Sequence, residues 1–148
     1  MILPDFKDFP RVGRVMGVDW GARRTGVAVS DPTREFIFTR DTIIARAGEC
    51  VAPRVADIAG AEKVVGIIIG LPVHSDGTVS DTATAVRTFA SELATFTDLP
   101  ICFIEENLTS ITAQEQMGRV RVRDIKQRLD SESARVILEN AIAVIRRI

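Results

Sequence analysis

The chain has 148 residues, 46% of them hydrophobic, enough for one packed domain with a substantial core and too short for a second. Its 19 basic and 20 acidic side chains leave a formal charge of −1, which excludes bulk electrostatic attraction to a polyanion. The longest apolar stretches, such as residues 64–71, fall far short of the roughly 20 residues of a membrane span, and residues 1–11 lack the basic-then-apolar order of a signal peptide, so a cytoplasmic protein without membrane contact is expected.

Residues 1–13 read as an N-terminal extension without a role legible in the sequence. Residues 15–19 are apolar up to Asp19, and residues 25–30 alternate as a strand does, with the short polar turn 22–24 beside Gly21 between them, so this is a hairpin. Residues 36–42 read as a third strand, reached through the Pro-containing turn 31–34, which makes the start a three-strand antiparallel meander. After Gly48 the spacing becomes helical, with Val51, Val55, Ile58 and Ala59 on one face and Pro53 in the first turn. The continuous apolar run 64–70 suits a strand covered on both faces, and Gly70-Leu71-Pro72 ends it.

A helix is expected over about 82–96, with Ala83, Val86, Phe89, Ala90 and Leu93 inward, and Pro100 stops that segment. Residues 101–104 form a short strand delivering Glu105 and Glu106 at its far end; Thr109 or Ser110 can cap a short helix to about Met117. A basic loop follows, in which Arg119, Arg121, Arg123, Lys126 and Arg128 accompany a single acid, Asp124. Such a run is often only a solvated surface, but here it is also the chain's local cationic feature. Asp130 or Ser131 then caps a last helix whose apolar face is Ala134, Ile137, Leu138, Ala141, Ile142, Ile145 and Ile148.

This order predicts an α/β domain: a five-stranded mixed sheet, the antiparallel meander followed by two parallel strands, flanked by helices. Right-handed crossovers place the first strand beside residues 64–70 and those beside 101–104. Asp19 and Glu106 then lie close together, and Asp130 approaches from a helix start. Converging acids repel and lose solvation unless a cation offsets them, so three invite a divalent metal, and oxygen-only ligands suit Mg²⁺ or Mn²⁺. Such ions can activate water for in-line attack on a phosphodiester without a protein nucleophile. That fits a chain whose one histidine is His74 and which lacks a serine or cysteine hydrolase elbow.

Each acid has a plainer reading. Asp19 could start a turn, Glu105 could replace Glu106 as ligand, and Asp130 could serve only as an N-cap. Arg23 and Arg24, in the first hairpin turn, can grip a backbone phosphate or simply face solvent. His74 reads more naturally as a surface histidine than as a proton shuttle. Cys50 and Cys102 have neither zinc-site spacing nor a disulfide framework and are expected as reduced, partly buried thiols.

The run Gly17-Val18-Asp19-Trp20-Gly21-Ala22-Arg23-Arg24-Thr25-Gly26-Val27-Ala28-Val29-Ser30-Asp31 resembles the opening motif of the YqgF family, also called RuvX. So do Gly70-Leu71-Pro72 with Asp76-Gly77, residues 105–110 against the family's acidic motif, and 130–134 against its last helix start. The resemblance covers the chain from Arg14 to the last helix. It implies an RNase H-like fold and a nuclease with a catalytic, metal-holding acid from each of three motifs, here Asp19, Glu106 and Asp130. Substrate contacts are then expected from Arg23, Arg24, Thr109, Arg121, Arg123 and Lys126. Glu105 stands where the family usually has aspartate, and Asn107 where it has arginine.

The implied partner is nucleic acid: a ribosomal RNA precursor trimmed at the 5′ end of 16S RNA, met free or in a pre-ribosomal particle, or a branched DNA junction. A monomer or homodimer fits. Two other classes compete. One is a phosphate-binding ATPase related to actin and hexokinase, for which the chain lacks a second half; the other is a non-catalytic nucleic-acid-binding module, which has no use for three such acids.

Overall fold

The computed structural model describes residues 1–73, 81–107 and 122–148, the side chains of 107 and 122–131 excepted. In chain order the elements are β1 (Val15–Asp19), β2 (Arg24–Ser30), β3 (Ile37–Thr39), β4 (Ile43–Ile44), α1 (Ala52–Glu62), β5 (Gly66–Val73), α2 (Asp81–Ala94), β6 (Ile101–Asn107) and α3 (Val122–Arg147). β1 pairs antiparallel with β2 and parallel with β5, and β5 pairs parallel with β6. The sheet therefore runs β3-β2-β1-β5-β6, with β4 beside β2 off that path. The meander and both parallel neighbours are as expected.

The single third strand expected over 36–42 is instead two short ones, which makes the sheet six-stranded. Ala28 pairs with Thr39 and Thr25 with Ile43, so four steps on one strand answer three on the other. One extra residue, as in a bulge, breaks the ladder and turns the chain. Asp31 holds the preceding turn: its carboxylate accepts from the Thr33 hydroxyl and from the N–H of Thr33 and Phe36. Those donors, the Thr33 hydroxyl first, lower its pKa from 3.8 to about 2. A depressed carboxyl contributes stability above the unfolded value that is lost as pH falls through the folded one. Asp31→Asn is therefore expected to flatten the fall in melting temperature between pH 4 and 2. An unchanged profile in melts across that range would remove Asp31 from acid stability.

Alternation along the strands divides the core in two. Met16, Val18, Val27, Val29, Ile67 and Ile69 pack on one side with α1 and α2, where Ala83, Val86, Phe89, Ala90 and Leu93 are buried as their spacing predicts. Val15, Ala28, Ile68 and Cys102 pack on the other with Ala134, Ile137, Leu138, Ala141, Ile142 and Ile145 of α3. Ile148, expected on that apolar face, is 52% exposed because α3 ends at Arg147. Cys102 is buried and Cys50 exposed.

The last helix departs most from expectation. It starts at Val122, so the stretch from Val122 to Arg128 is helix where a basic loop was expected, and Asp130 lies inside the helix rather than capping it. Residues 122–129 contain neither Gly nor Pro and carry Arg, Lys, Gln and Leu, which propagate a helix at little cost. The short helix expected from Thr109 to Met117 lies outside the described residues.

Residues 1–13, the N-terminal extension, pack onto the domain. Ile2 bridges Ile101 in parallel, the Leu3 N–H donates to the Ile101 carbonyl at 2.7 Å, and the Ile101 N–H donates to the Met1 carbonyl at 2.8 Å. Leu3, Phe6 and Phe9 are buried in the α3-side core.

Candidate active site

Gly17 of β1 faces α3, and a Cβ there would stand 2.7 Å from the Ala134 carbonyl oxygen. The helix thus rests directly on this strand. Asp19 is the next residue on the same face, half-buried at the strand's end. A tight turn follows, in which a Cβ on Gly21 would fall 2.4 Å from the Arg24 carbonyl oxygen. Only glycine fits there. Arg24 opens β2, and alternation puts it on the α3 side with Gly26 and Ala28; Arg23 is exposed in the turn.

β5 runs past its expected end through Leu71-Pro72 to Val73, and β6 accompanies it to Asn107. Pro72 is tolerable because a proline lacks only the N–H, which a strand end can spare. In consequence Glu105 and Glu106 lie within the strand and point to opposite faces. Glu105 is exposed on the α2 side, lining a hollow with Arg87 and Phe103. Glu106 is half-buried on the α3 side, the side of Asp19.

Gly70, between them, makes this possible. Val18 pairs with Ile69, so Asp19 is level with Gly70 on the neighbouring strand. A Cβ on Gly70 would meet a Glu106 carboxylate oxygen at 3.0 Å and Ile137 Cδ1 at 2.4 Å. The missing side chain leaves a cradle that the Glu106 carboxylate occupies. Adjacent strands lie about 4.8 Å apart, so Asp19 departs from the sheet about that far from the same point. Two carboxylates so placed can share one hard cation.

α3 runs antiparallel to β1: Ala134 lies over Gly17, while Arg146 reaches the Arg34 carbonyl and Arg34 in turn the Gly13 carbonyl, at the opposite end of the strand. Position 130 is one turn before Ala134 on the same helix face, which places its backbone at the Asp19 end of the sheet. Arg123 and Lys126 lie further along that helix towards its start. Thr109, Arg121 and His74 lie outside the described residues. Among the described residues no group of three Asp, Glu, His or Cys side chains is gathered closely enough to hold a metal; the Asp130 side chain is not among them.

In the sequence Gly70 reads only as the end of an apolar run, broken by Gly70-Leu71-Pro72. The signal was available, because a glycine inside an apolar strand marks a close approach. Gly70→Ala is expected to lower catalysis about tenfold by displacing the acid it cradles, with the circular dichroism spectrum retained; full activity would mean that the space is not needed.

The sequence profile of the RuvX family, described as Holliday junction resolvase, matches residues 13–143. The chain belongs to the RuvX family. Relatives named "Putative pre-16S rRNA nuclease" include one from Maridesulfovibrio salexigens, 36% identical over 132 residues that cover 88% of this chain and 98% of the relative. Another, from Roseiflexus, is 35% identical over 130 residues, covering 86% and 92%. Among solved structures, T. thermophilus RuvC in complex with a Holliday junction substrate superposes with a TM-score of 0.56, at 9% identity, over 91% of this chain and 96% of that one. At that identity the likeness shows the fold, which is RNase H-like. As a RuvX member the chain is a nuclease, a hydrolase of ester bonds. Among its described residues no helix is long and apolar enough to cross a membrane.

Proposed function

We propose that this RuvX nuclease is metal-dependent, that Asp19, Glu106 and Asp130 are its catalytic acids, and that it trims the 5′ end of pre-16S rRNA in the cytoplasm. The observation that carries this reading is the placement of Asp19 and Glu106 on one face of the sheet, on either side of the side-chain-free Gly70. All-oxygen donors at a strand end suit Mg²⁺ or Mn²⁺. The metal, when bound, supplies an acidified water and charge stabilisation at the phosphate.

The chain's own residues do the rest. Asp19, Glu106 and Asp130 would hold the metal through their carboxylate oxygens, and their remaining lone pairs would orient the attacking water. Arg24, on the same face, and Arg23 in the adjoining turn provide cations for the phosphates flanking the cut. Thr109, Arg121, Arg123 and Lys126 are the further substrate contacts in this reading. The RNA target, free or within a pre-ribosomal particle, draws support from the relatives' names.

A second reading, cleavage of a four-way DNA junction by a homodimer, draws support from the description of the family profile. The deciding experiment offers wild type and Asp19→Asn both substrates, the RNA precursor and the junction, with Mg²⁺ or Mn²⁺. Cutting of the RNA by wild type alone is the expected result. Cutting of the junction alone selects the second reading, and binding with no metal-dependent cutting of either substrate would reduce the chain to a binding module.

A further inference from the structure

Trp20 follows Asp19 directly and turns to the other face of the sheet, where its indole stacks on Phe89 with ring centroids 6.0 Å apart and planes inclined by 27°. The half-buried indole lines a cavity of about 420 Å³ between the start of α1 and the middle of α2. Phe89 is buried, so the aromatic pair is anchored from below. The charged lining is acidic. Glu49 is bound up by the Arg46 N–H and the Arg54 guanidinium, which leaves Glu92 as the acid of the pocket. Glu92 accepts a hydrogen bond from the Cys50 thiol at 2.9 Å and retains lone pairs on both oxygens.

An acid beside an aromatic plane repels a phosphate and favours a flat group carrying N–H donors. Unpaired nucleobases stack on aromatic side chains and are read along their Watson–Crick edges. Guanine alone offers two adjacent donors, N1–H and N2–H, matching the two oxygens of a carboxylate. Uracil sets its one N–H between two carbonyls that a carboxylate repels. Asp19 ends β1 and Trp20 follows it on the opposite face, so a nucleic-acid strand that passes around that end can present one nucleotide to each side chain.

We propose that this pocket receives an unpaired guanine of the substrate next to the cleaved bond, stacked on Trp20 and hydrogen-bonded to Glu92. The proposal rests on the nuclease reading above and adds a base preference to it. Trp20 is the chain's one tryptophan, so its emission reports this pocket directly. The test titrates the full chain, without divalent metal, with a single-stranded uridine oligonucleotide and with one carrying a central guanine.

The guanine strand is expected to quench Trp20 and bind about tenfold more tightly. Glu92→Gln, at an exposed position, should abolish that preference, whereas Asp19→Asn should keep it. Equal binding and quenching by both strands, or a preference that survives Glu92→Gln, would overturn the guanine pocket and leave the nuclease reading standing. Failure to bind either strand would overturn both.

Discussion

Asp19→Asn is expected to lower phosphodiester cleavage by about two to three orders of magnitude with little change in stability. Metal-assisted stabilisation of charge in the transition state amounts to several kcal/mol, and each 1.36 kcal/mol is about a tenfold change in rate. The amide keeps the size and shape of the carboxylate, so packing at the half-buried strand end is preserved. It removes a negative charge and replaces one acceptor with a donor, so a cation held as proposed between Asp19 and Glu106 would lose one of its anionic ligands. Metal-dependent cleavage rates for wild type and variant, beside their thermal melts, test this. A variant that cuts at the wild-type rate would remove Asp19 from the mechanism, and with it the pairing of Asp19 and Glu106 across Gly70.

Phe9→Ala is expected to cost about 3–5 kcal/mol of folding stability, the range for deleting a buried phenylalanine ring. Phe9 is 2% exposed, and its ring fills the space over Gly66, where a Cβ would meet it at 2.5 Å. Phe6 packs against it edge to face, with centroids 5.7 Å apart and planes at 80°. Removing the ring leaves a void between the N-terminal segment, β5 and α3 that surrounding backbone cannot collapse to fill. At about 2–4 °C per kcal/mol for a chain of this size, the melting temperature should fall by on the order of 10 °C. Phe36→Ala is the control, because Phe36 is 63% exposed and its loss should be nearly neutral. A melt as high as wild type for Phe9→Ala would show that the N-terminal segment does not contribute to the core.

The Phe9 prediction could not have come from the sequence. Three of the apolar residues in 1–13, the buried Leu3, Phe6 and Phe9, follow a spacing of three without a matching partner nearby in the chain. Their partners are Ile101 at the edge strand and the α3 side of the sheet, about a hundred residues away in sequence. Long-range pairing of that kind leaves no local periodicity to read.

Local pattern was enough elsewhere. Two-residue alternation in β1 and β2, an unbroken apolar run in β5, and three-and-four spacing in α2 and in 134–145 each encode which side of an element is buried, because burial repeats with the geometry of that element. The same patterns, with right-handed crossovers, set β1, β5 and β6 side by side and so brought the strands carrying Asp19 and Glu106 to either side of β5.

Three matters were decided only by tertiary structure. That Glu106 shares the face of Asp19 while Glu105 takes the opposite one depended on the ladder with β5 continuing past Gly70, since a strand that stops at Ile104 leaves both acids in a loop. The role of Gly70 depended on α3 and Glu106 arriving at the same point from opposite ends of the sequence. The position of Asp130 depended on where α3 begins: an aspartate before an apolar helical face has the signature of a cap, yet a preceding stretch free of Gly and Pro carried the helix back to Val122. Sequence determines which residues want burial and at what period; the meeting of distant segments determines which acids face one another.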